Sequence, residues 1–344
     1  MAMYWVMYLL PMLVVLSPFK GARDLRLAGW WVAGIAYTLL IGLRHEIGAD
    51  WFTYLDISLG TSSVDFFEAI LLGDPGYTAL DWLSAKMGAG IYGVNVVCSG
   101  IFMAGLISFS KRQPLPWLAF AVSVPYLLIV VSMGYTRQAA ALGFIFLALG
   151  ELQGVRVARY VLLVAAAATF HKTAVVLMPL ALFTPGTVRF RRIIGVVFLF
   201  LLTAGLLLVE HLEFLWARYD EMSSEGGAIR VWMNVVPALV FVWYWKRWRN
   251  RFGDQWLWSW FAVLSLACVP LVGVASTVID RMALYLTPIQ LVVMSRLPVL
   301  IGEPVLRSAT VITILGTYGL VLWVWLNYAI HAFAWIPYKN VLFE

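Results

Sequence analysis

The chain has 344 residues, 62% of them hydrophobic, 15% aromatic and only 12% charged, with a net charge of +6. A soluble domain carries roughly 25% charged residues, so the deficit excludes a water-soluble globule, and the wealth of apolar residues excludes a disordered chain. Two cysteines, Cys98 and Cys268, both inside apolar runs, are too few for a disulfide framework or a cysteine-rich metal site.

A spanning helix needs about 20 mostly apolar residues. In chain order the candidate spans are 2–19, 27–43, 91–109, 115–132, 138–153, 160–170, 173–184, 193–209, 231–245, 256–274, 282–295 and 309–327. These twelve predict an all-α polytopic integral membrane protein, a single membrane domain over 1–344 with no internal repeat. The first run has no basic n-region and no small-residue cleavage site, so it is expected to be a retained span and not a signal peptide. The weak point is 160–184, which Phe170-His171-Lys172 interrupts and which reads as one span or two short elements.

Charge decides between these. With the N-terminus outside, the cytoplasmic loops are 20–26, 110–116, 154–159, 185–192, 246–255 and 296–308. Counting Glu151 at the inner end of its span, the cytoplasmic side then holds 16 of the 24 basic residues and 4 of the 18 acids, as the positive-inside rule demands. One span at 160–184 would put Arg189, Arg191, Arg192 and the basic run 246–251 outside, so two short elements, a broken or re-entrant pair, are expected. The positive net charge is thus a mark of topology beside anionic lipid, and no nucleic-acid partner is expected. Two outer loops, 44–90 and 210–230, are long. The first is expected to hold a short amphipathic helix near 63–72, with Ser63 or Asp65 near its start, followed by a turn at the Gly-Asp-Pro-Gly of 73–76.

No P-loop, Gly-rich dinucleotide turn or His-x-x-x-His pair occurs, and the four histidines (His45, His171, His211 and His331) are widely spread. No metal and no cofactor are therefore expected, which counts against a nucleotide-dependent enzyme or pump. The outer face differs from the inner one. Arg44, Arg137, Lys172 and Arg281 sit at the outer ends of four separate spans. Each alone reads as a snorkelling cation. Together, at comparable depth, they favour a shared anion, and the planar guanidinium suits a pyrophosphate.

Acids and aromatics lie beside them. Glu46 and Asp50 are four apart and would share a face of a helical turn. Trp51 and Tyr54 would form a platform for a sugar ring or belong to the interfacial aromatic belt. Asp74, Tyr77, Asp81 and Trp82 repeat the mixture. Asp280 beside Arg281 reads as an ion pair or local charge balance. His171 at the broken span is a candidate proton shuttle or a hydrogen-bonding partner for backbone freed by the break.

An ordered set of short pieces also carries a resemblance. Gly42-Leu43-Arg44, Ile47-Gly48-Ala49-Asp50-Trp51 and Tyr54 come first, then Pro75-Gly76-Tyr77. Thr136-Arg137-Gln138, Phe170-His171-Lys172-Thr173-Ala174, and Asp280-Arg281 with Tyr285 follow. The set resembles the signature of EpsG-like proteins, which are similar to Wzy-type polysaccharide polymerases. The family usually has an acid directly before Gly-Tyr, where this chain has Asp74-Pro75. The resemblance implies a GT-C-like fold in the bacterial inner membrane. It implies polymerisation of undecaprenyl-pyrophosphate-linked oligosaccharide units into exopolysaccharide, capsule or O-antigen at the periplasmic face. A chain-length-determining co-polymerase and a flippase are the implied partners. Matched to that chemistry, Arg44, Arg137 and Arg281, with Lys172, would hold the pyrophosphate. Asp50 or Glu46 would be the base, with His171 next in line. Trp51, Tyr54, Tyr77, Gln138 and Tyr285 would position sugar. The alternatives are a single-sugar lipid-linked glycosyltransferase or O-antigen ligase, a transporter of lipid-linked oligosaccharide, and an export scaffold.

Overall fold

The computed structural model describes residues 1–17, 23–186, 193–205, 226–273 and 276–343. Lys20, Arg189, Arg191 and Arg192 of the expected inner loops, and most of the 210–230 loop with His211, lie outside the described residues. Each of the twelve apolar stretches contains a helix. The first is α1 (Ala2–Leu16) and the second α2 (Arg23–Gly42). The loop that follows holds three helices, α3 (Trp51–Ser62), α4 (Phe66–Leu71) and α5 (Pro75–Lys86). Next come α6 (Gly90–Lys111) and α7 (Pro116–Ser123), which continues through a π-helical stretch, Val124–Val131, into a last turn, α8 (Ser132–Gly134). After α9 (Thr136–Gln153) and α10 (Val157–Phe170) a 3₁₀ segment runs over Lys172–Phe183. The rest is α11 (Ile193–Gly205), α12 (Gly227–Trp243), α13 (Trp245–Arg251), α14 (Gln255–Leu271), α15 (Ser276–Leu284), α16 (Pro288–Leu300) and α17 (Pro304–Tyr328).

Length and apolarity mark fewer spans than hydropathy alone. Among the described residues α6, the α7–α8 run and α17 are long and apolar enough to cross a membrane, and two bent pairs raise the number to five. Six further apolar helices count 10–17 residues among those described. The broken pair at 160–184 is two elements. His171 is extended (φ −155°, ψ 109°), and the 3₁₀ segment returns along α10, where Tyr160 Oη donates to the Leu177 carbonyl.

Packing puts the α7–α8 run at the centre, 89% of its apolar window buried, and α17 at the periphery with 28%. Apolar tails already solvate apolar side chains, so close backbone approach must hold such helices together. Gly105 of α6 and Gly143 of α9 supply it: a Cβ on Gly105 would lie 2.0 Å from the Gly143 carbonyl oxygen.

The outer loop is more helical than its sequence announced. Asp65 does cap α4, accepting from Glu68 N–H at 3.0 Å, as expected. The expected turn at 73–76 instead opens α5, with Pro75 at its first position, where a missing N–H is harmless. The stretch 43–50 is not a helical turn, contrary to the expectation that Glu46 and Asp50 share a helix face. Glu46 and Gly48 have φ of 50° and 105°, and a Cβ on Gly48 would lie 2.4 Å from the Met133 carbonyl.

Two polar ends result. At one, Tyr4 Oη donates to the Trp335 carbonyl (2.6 Å), Lys339 pairs with Glu46 (2.6 Å), and Arg44 bridges to Asn340. At the other, Arg296 reaches Asp254 (2.7 Å) and Gln113 (3.0 Å), while Gln153 and Trp258 donate to the same aspartate. Segments expected outside by charge meet at the first end, and segments expected inside meet at the second.

Candidate functional site

The break between α8 and α9 organises the first of these ends. Tyr135 leaves helical geometry (φ −122°, ψ 66°), so α9 starts afresh and Arg137 falls in its first turn. A cation there opposes the helix dipole and needs an anion nearby. Asp74, only 3% exposed, supplies it: Oδ2 accepts from Arg137 Nη1 at 3.0 Å. The Lys172 backbone N–H donates to Oδ1 at 3.3 Å, and His171 Nδ1 lies 3.6 Å from Oδ2. The Arg137 guanidinium also stands over the rings of Tyr54 (5.7 Å) and Tyr77 (5.9 Å). Burial pushes the Asp74 carboxyl up, but His171, Arg137 and the Lys172 N–H outweigh it and hold the group below its ordinary value.

His171 is tied on its other side to Gln138, 2.9 Å from Nε2. With the amide donating, Nε2 is the acceptor and the ring proton sits on Nδ1, facing Asp74. Thr173 donates to Tyr285 Oη at 3.4 Å, and Tyr285 is fully buried.

The other two acids divide sharply. Asp50 precedes α3 without capping it and is half-buried, and among the described residues its carboxyl has no hydrogen-bond partner. Burial pushes it above its ordinary value, against the nearby charges of Arg137, Arg281 and His331. Glu46 is exposed, and the hydrogen bond and charge of Lys339 hold its carboxyl below the ordinary value.

The four expected cations are not equivalent. Arg44 is 1% exposed and spends its guanidinium internally. It donates to the Ile41 carbonyl (2.7 Å), the Ile47 carbonyl (3.3 Å), Thr136 Oγ1 (2.8 Å) and Asn95 Oδ1 (3.5 Å). It therefore closes the end of α2 and fixes the loop carrying Asp50, and does not face a ligand as expected. Arg137 keeps a third of its side chain exposed. Arg281, in the last turn of α15, is exposed, with no hydrogen bond or ion pair among the described residues. Its neighbour Asp280 pairs instead with Arg230 of α12, through both oxygens, correcting the expected balance with Arg281. The expected sugar platforms are largely covered: Trp51 and Tyr54 are each 5% exposed and Tyr77 is 1%. Trp51 packs on His45 and Tyr92, while Tyr54 and Tyr77 pack on each other. No group of metal-ligating side chains occurs among the described residues.

A family model described as the EpsG family matches residues 29–340. The chain belongs to the EpsG family. That is the family of Wzy-type polysaccharide-polymerase-like proteins. No curated protein and no solved structure matches the chain.

The matched region of this EpsG-family chain holds every residue of the cluster, including two, Arg230 and Tyr135, that sequence reasoning did not single out. Asp74 was visible as one of the acids mixed with aromatics in the 44–90 loop and as the acid that the family places near Gly-Tyr, but not as the partner of Arg137. Arg230, at the end of the 210–230 loop, had no local signal at all. Tyr135 lies half-buried at the helix break, its hydroxyl without a hydrogen bond among the described residues. It feels the charges of Arg230, Asp50, Asp280 and Arg281.

Proposed function

We propose that this EpsG-family protein joins lipid-pyrophosphate-linked oligosaccharide units at the outer face of a bacterial inner membrane. The observation that carries the proposal is Asp50: a half-buried, unbonded carboxyl with a raised proton affinity, among the cations Arg137 and Arg281. Asp50 takes the proton of the acceptor sugar hydroxyl. The hydroxyl oxygen attacks the anomeric carbon of the donor, and the bond from that carbon to the pyrophosphate oxygen breaks. The pyrophosphate leaves with the electron pair, into the field of Arg281 and Arg137, with Lys172 beside them. Asp74 is the weaker candidate for base, since two donors already occupy it. Its work is to hold Arg137, with His171 beside it and Gln138 holding His171 in turn. Gln138 is the proposed sugar contact, while Arg44 and the covered Trp51, packed on His45 and Tyr92, are positioning residues. Tyr54, Tyr77 and Tyr285 support the site from beneath.

The twelve apolar helices are proposed to cross or dip into the bilayer in a GT-C-like arrangement, with both termini and the 44–90 loop outside. The meeting of the charge-assigned outer segments at one end supports that orientation. Single-cysteine labelling in a background lacking Cys98 and Cys268 tests it. A reagent that cannot cross the membrane is expected to modify a cysteine placed at exposed Ser63 and to spare one at exposed Arg249. The reverse pattern would overturn the site.

Incubating purified protein in lipid with a lipid-pyrophosphate oligosaccharide tests the activity. A ladder spaced by one repeat unit is expected. One added unit only would favour a ligase or single-sugar transferase, and movement without a new bond would favour a transporter. Tyr135→Phe is expected to slow the ladder roughly two- to tenfold while leaving the amount of folded protein unchanged, as loss of one uncharged substrate hydrogen bond of ~0.5–1.5 kcal/mol would. An unchanged rate would return Tyr135 to a packing role.

A further inference from the structure

The opposite end of the molecule carries a second arrangement of cations and rings that the polymer chemistry leaves unused. Helices α12 and α13 meet at a bend of 74°. Val242, Trp243, Tyr244, Trp245, Lys246 and Arg247 line a cavity of about 580 Å³ there. The cavity opens to the surface, where Trp243 is 85% exposed. Along α12, Trp232, Val236, Leu239 and Trp243 are all more than half exposed, and their spacing of three and four residues makes one continuous apolar stripe leading into the bend.

Helix α13 adds charge of one sign. It reads Trp245-Lys246-Arg247-Trp248-Arg249-Asn250-Arg251, four cations in seven residues without an acid. None of the four forms an ion pair among the described residues. The nearest acid that follows, Asp254, is taken by Arg296 at 2.7 Å. The cations are also held in place. Trp248 is completely buried against Phe241 and Phe252 and anchors the helix. Arg247 stands 5.5 Å over the Tyr244 ring, and Arg249 4.9 Å over Trp245. Like charges so close repel one another, and a fixed anion would relieve them. A topology signal alone needs neither a cavity nor an apolar approach.

We propose that the α12–α13 bend binds the headgroup of an anionic phospholipid of the inner leaflet. Lys246 and Arg247 hold its phosphate, and its acyl chains lie along the α12 stripe. The leaflet rests on the orientation proposed above, whereas the binding itself does not. Charge complementarity and the joined apolar stripe select a lipid over a free phosphate ion, which would leave the stripe without a role.

Native mass spectrometry of the full-length protein from detergent, titrated with phosphatidylglycerol or phosphatidylcholine, tests this. The wild type is expected to retain phosphatidylglycerol preferentially. Lys246→Gln with Arg247→Gln is expected to weaken that retention on the order of tenfold or more. Lys246→Arg with Arg247→Lys keeps both charges and is expected to retain it, which separates loss of the site from loss of the fold. Equal retention of the two lipids, undiminished retention in the Gln variant, or displacement of the lipid by millimolar inorganic phosphate would overturn the proposal. The assay uses no sugar donor and reads binding in either orientation, so its failure is distinct from a failure of the polymerase function or of the cysteine labelling.

Discussion

Asp50→Asn is expected to abolish polymer formation while leaving the lipid-linked donor bound. The amide has nearly the same shape and can still donate or accept a hydrogen bond, but it cannot take up the acceptor proton. A well-placed base typically contributes ~10²–10⁴-fold, and the loss should fall in that range. The carboxyl is half-buried without a partner, so the exchange leaves no charge stranded and should not disturb folding. The same residue sets the pH dependence. Because the base acts only when ionised, activity should fall as pH drops through its pKa. Burial raises that pKa, so the acidic limb should lie above the ordinary carboxylate range. Glu46→Gln breaks only an exposed pair with Lys339 and should be milder. A normal rate for Asp50→Asn with a dead Glu46→Gln would swap the two roles. Full activity in both would move the base to His171.

Arg137→Lys carries the second large effect. A lysine keeps the charge but loses the planar fork, which in the wild type grips Asp74 and lies over two tyrosine rings. It cannot reproduce that geometry and present a donor to a pyrophosphate together. Loss of one such stabiliser of developing charge typically costs ~10²–10³-fold in rate. The variant should still insert and fold, since a third of the side chain is exposed. Arg44→Lys should behave oppositely. Its guanidinium is buried and donates to four groups that an ammonium cannot reach at once. Each hydrogen bond made by a charged group and then lost costs ~1.5–3 kcal/mol, so the yield of folded protein should fall first. Polymer rate per folded molecule separates the two arginines. Full activity in both Arg137→Lys and Arg137→Ala would return Arg137 to a snorkelling cation, and a fully stable Arg44→Lys would remove its positioning role.

Apolar run length and the sidedness of basic residues were legible from residues close together in the chain. They carried the all-α character, the apolar helices and the division of 160–184 into two elements, since hydropathy and loop charge are local properties. The ordered motifs around Arg44, Asp50, Tyr77, Arg137, His171 and Arg281 carried the family, which the match over 29–340 bears out. Which of these residues face a ligand was not legible, because partner choice is a matter of three-dimensional contact. Arg44 and Arg137 look alike as cations at span ends, yet the first is consumed by α2, α6 and α9 and the second remains a third exposed. Glu46 and Asp50 are four residues apart, but Gly48 turns the chain between them, so one meets Lys339 across the C-terminal segment and the other turns toward Arg137 and Arg281. Asp280 found Arg230, fifty residues away, instead of its neighbour. Local patterns sufficed to show a helical protein with charge and rings gathered at the ends of its apolar runs. The tertiary structure alone decided which charges neutralise one another and which is left able to take a proton, because burial and pairing depend on elements far apart in the chain meeting at one end.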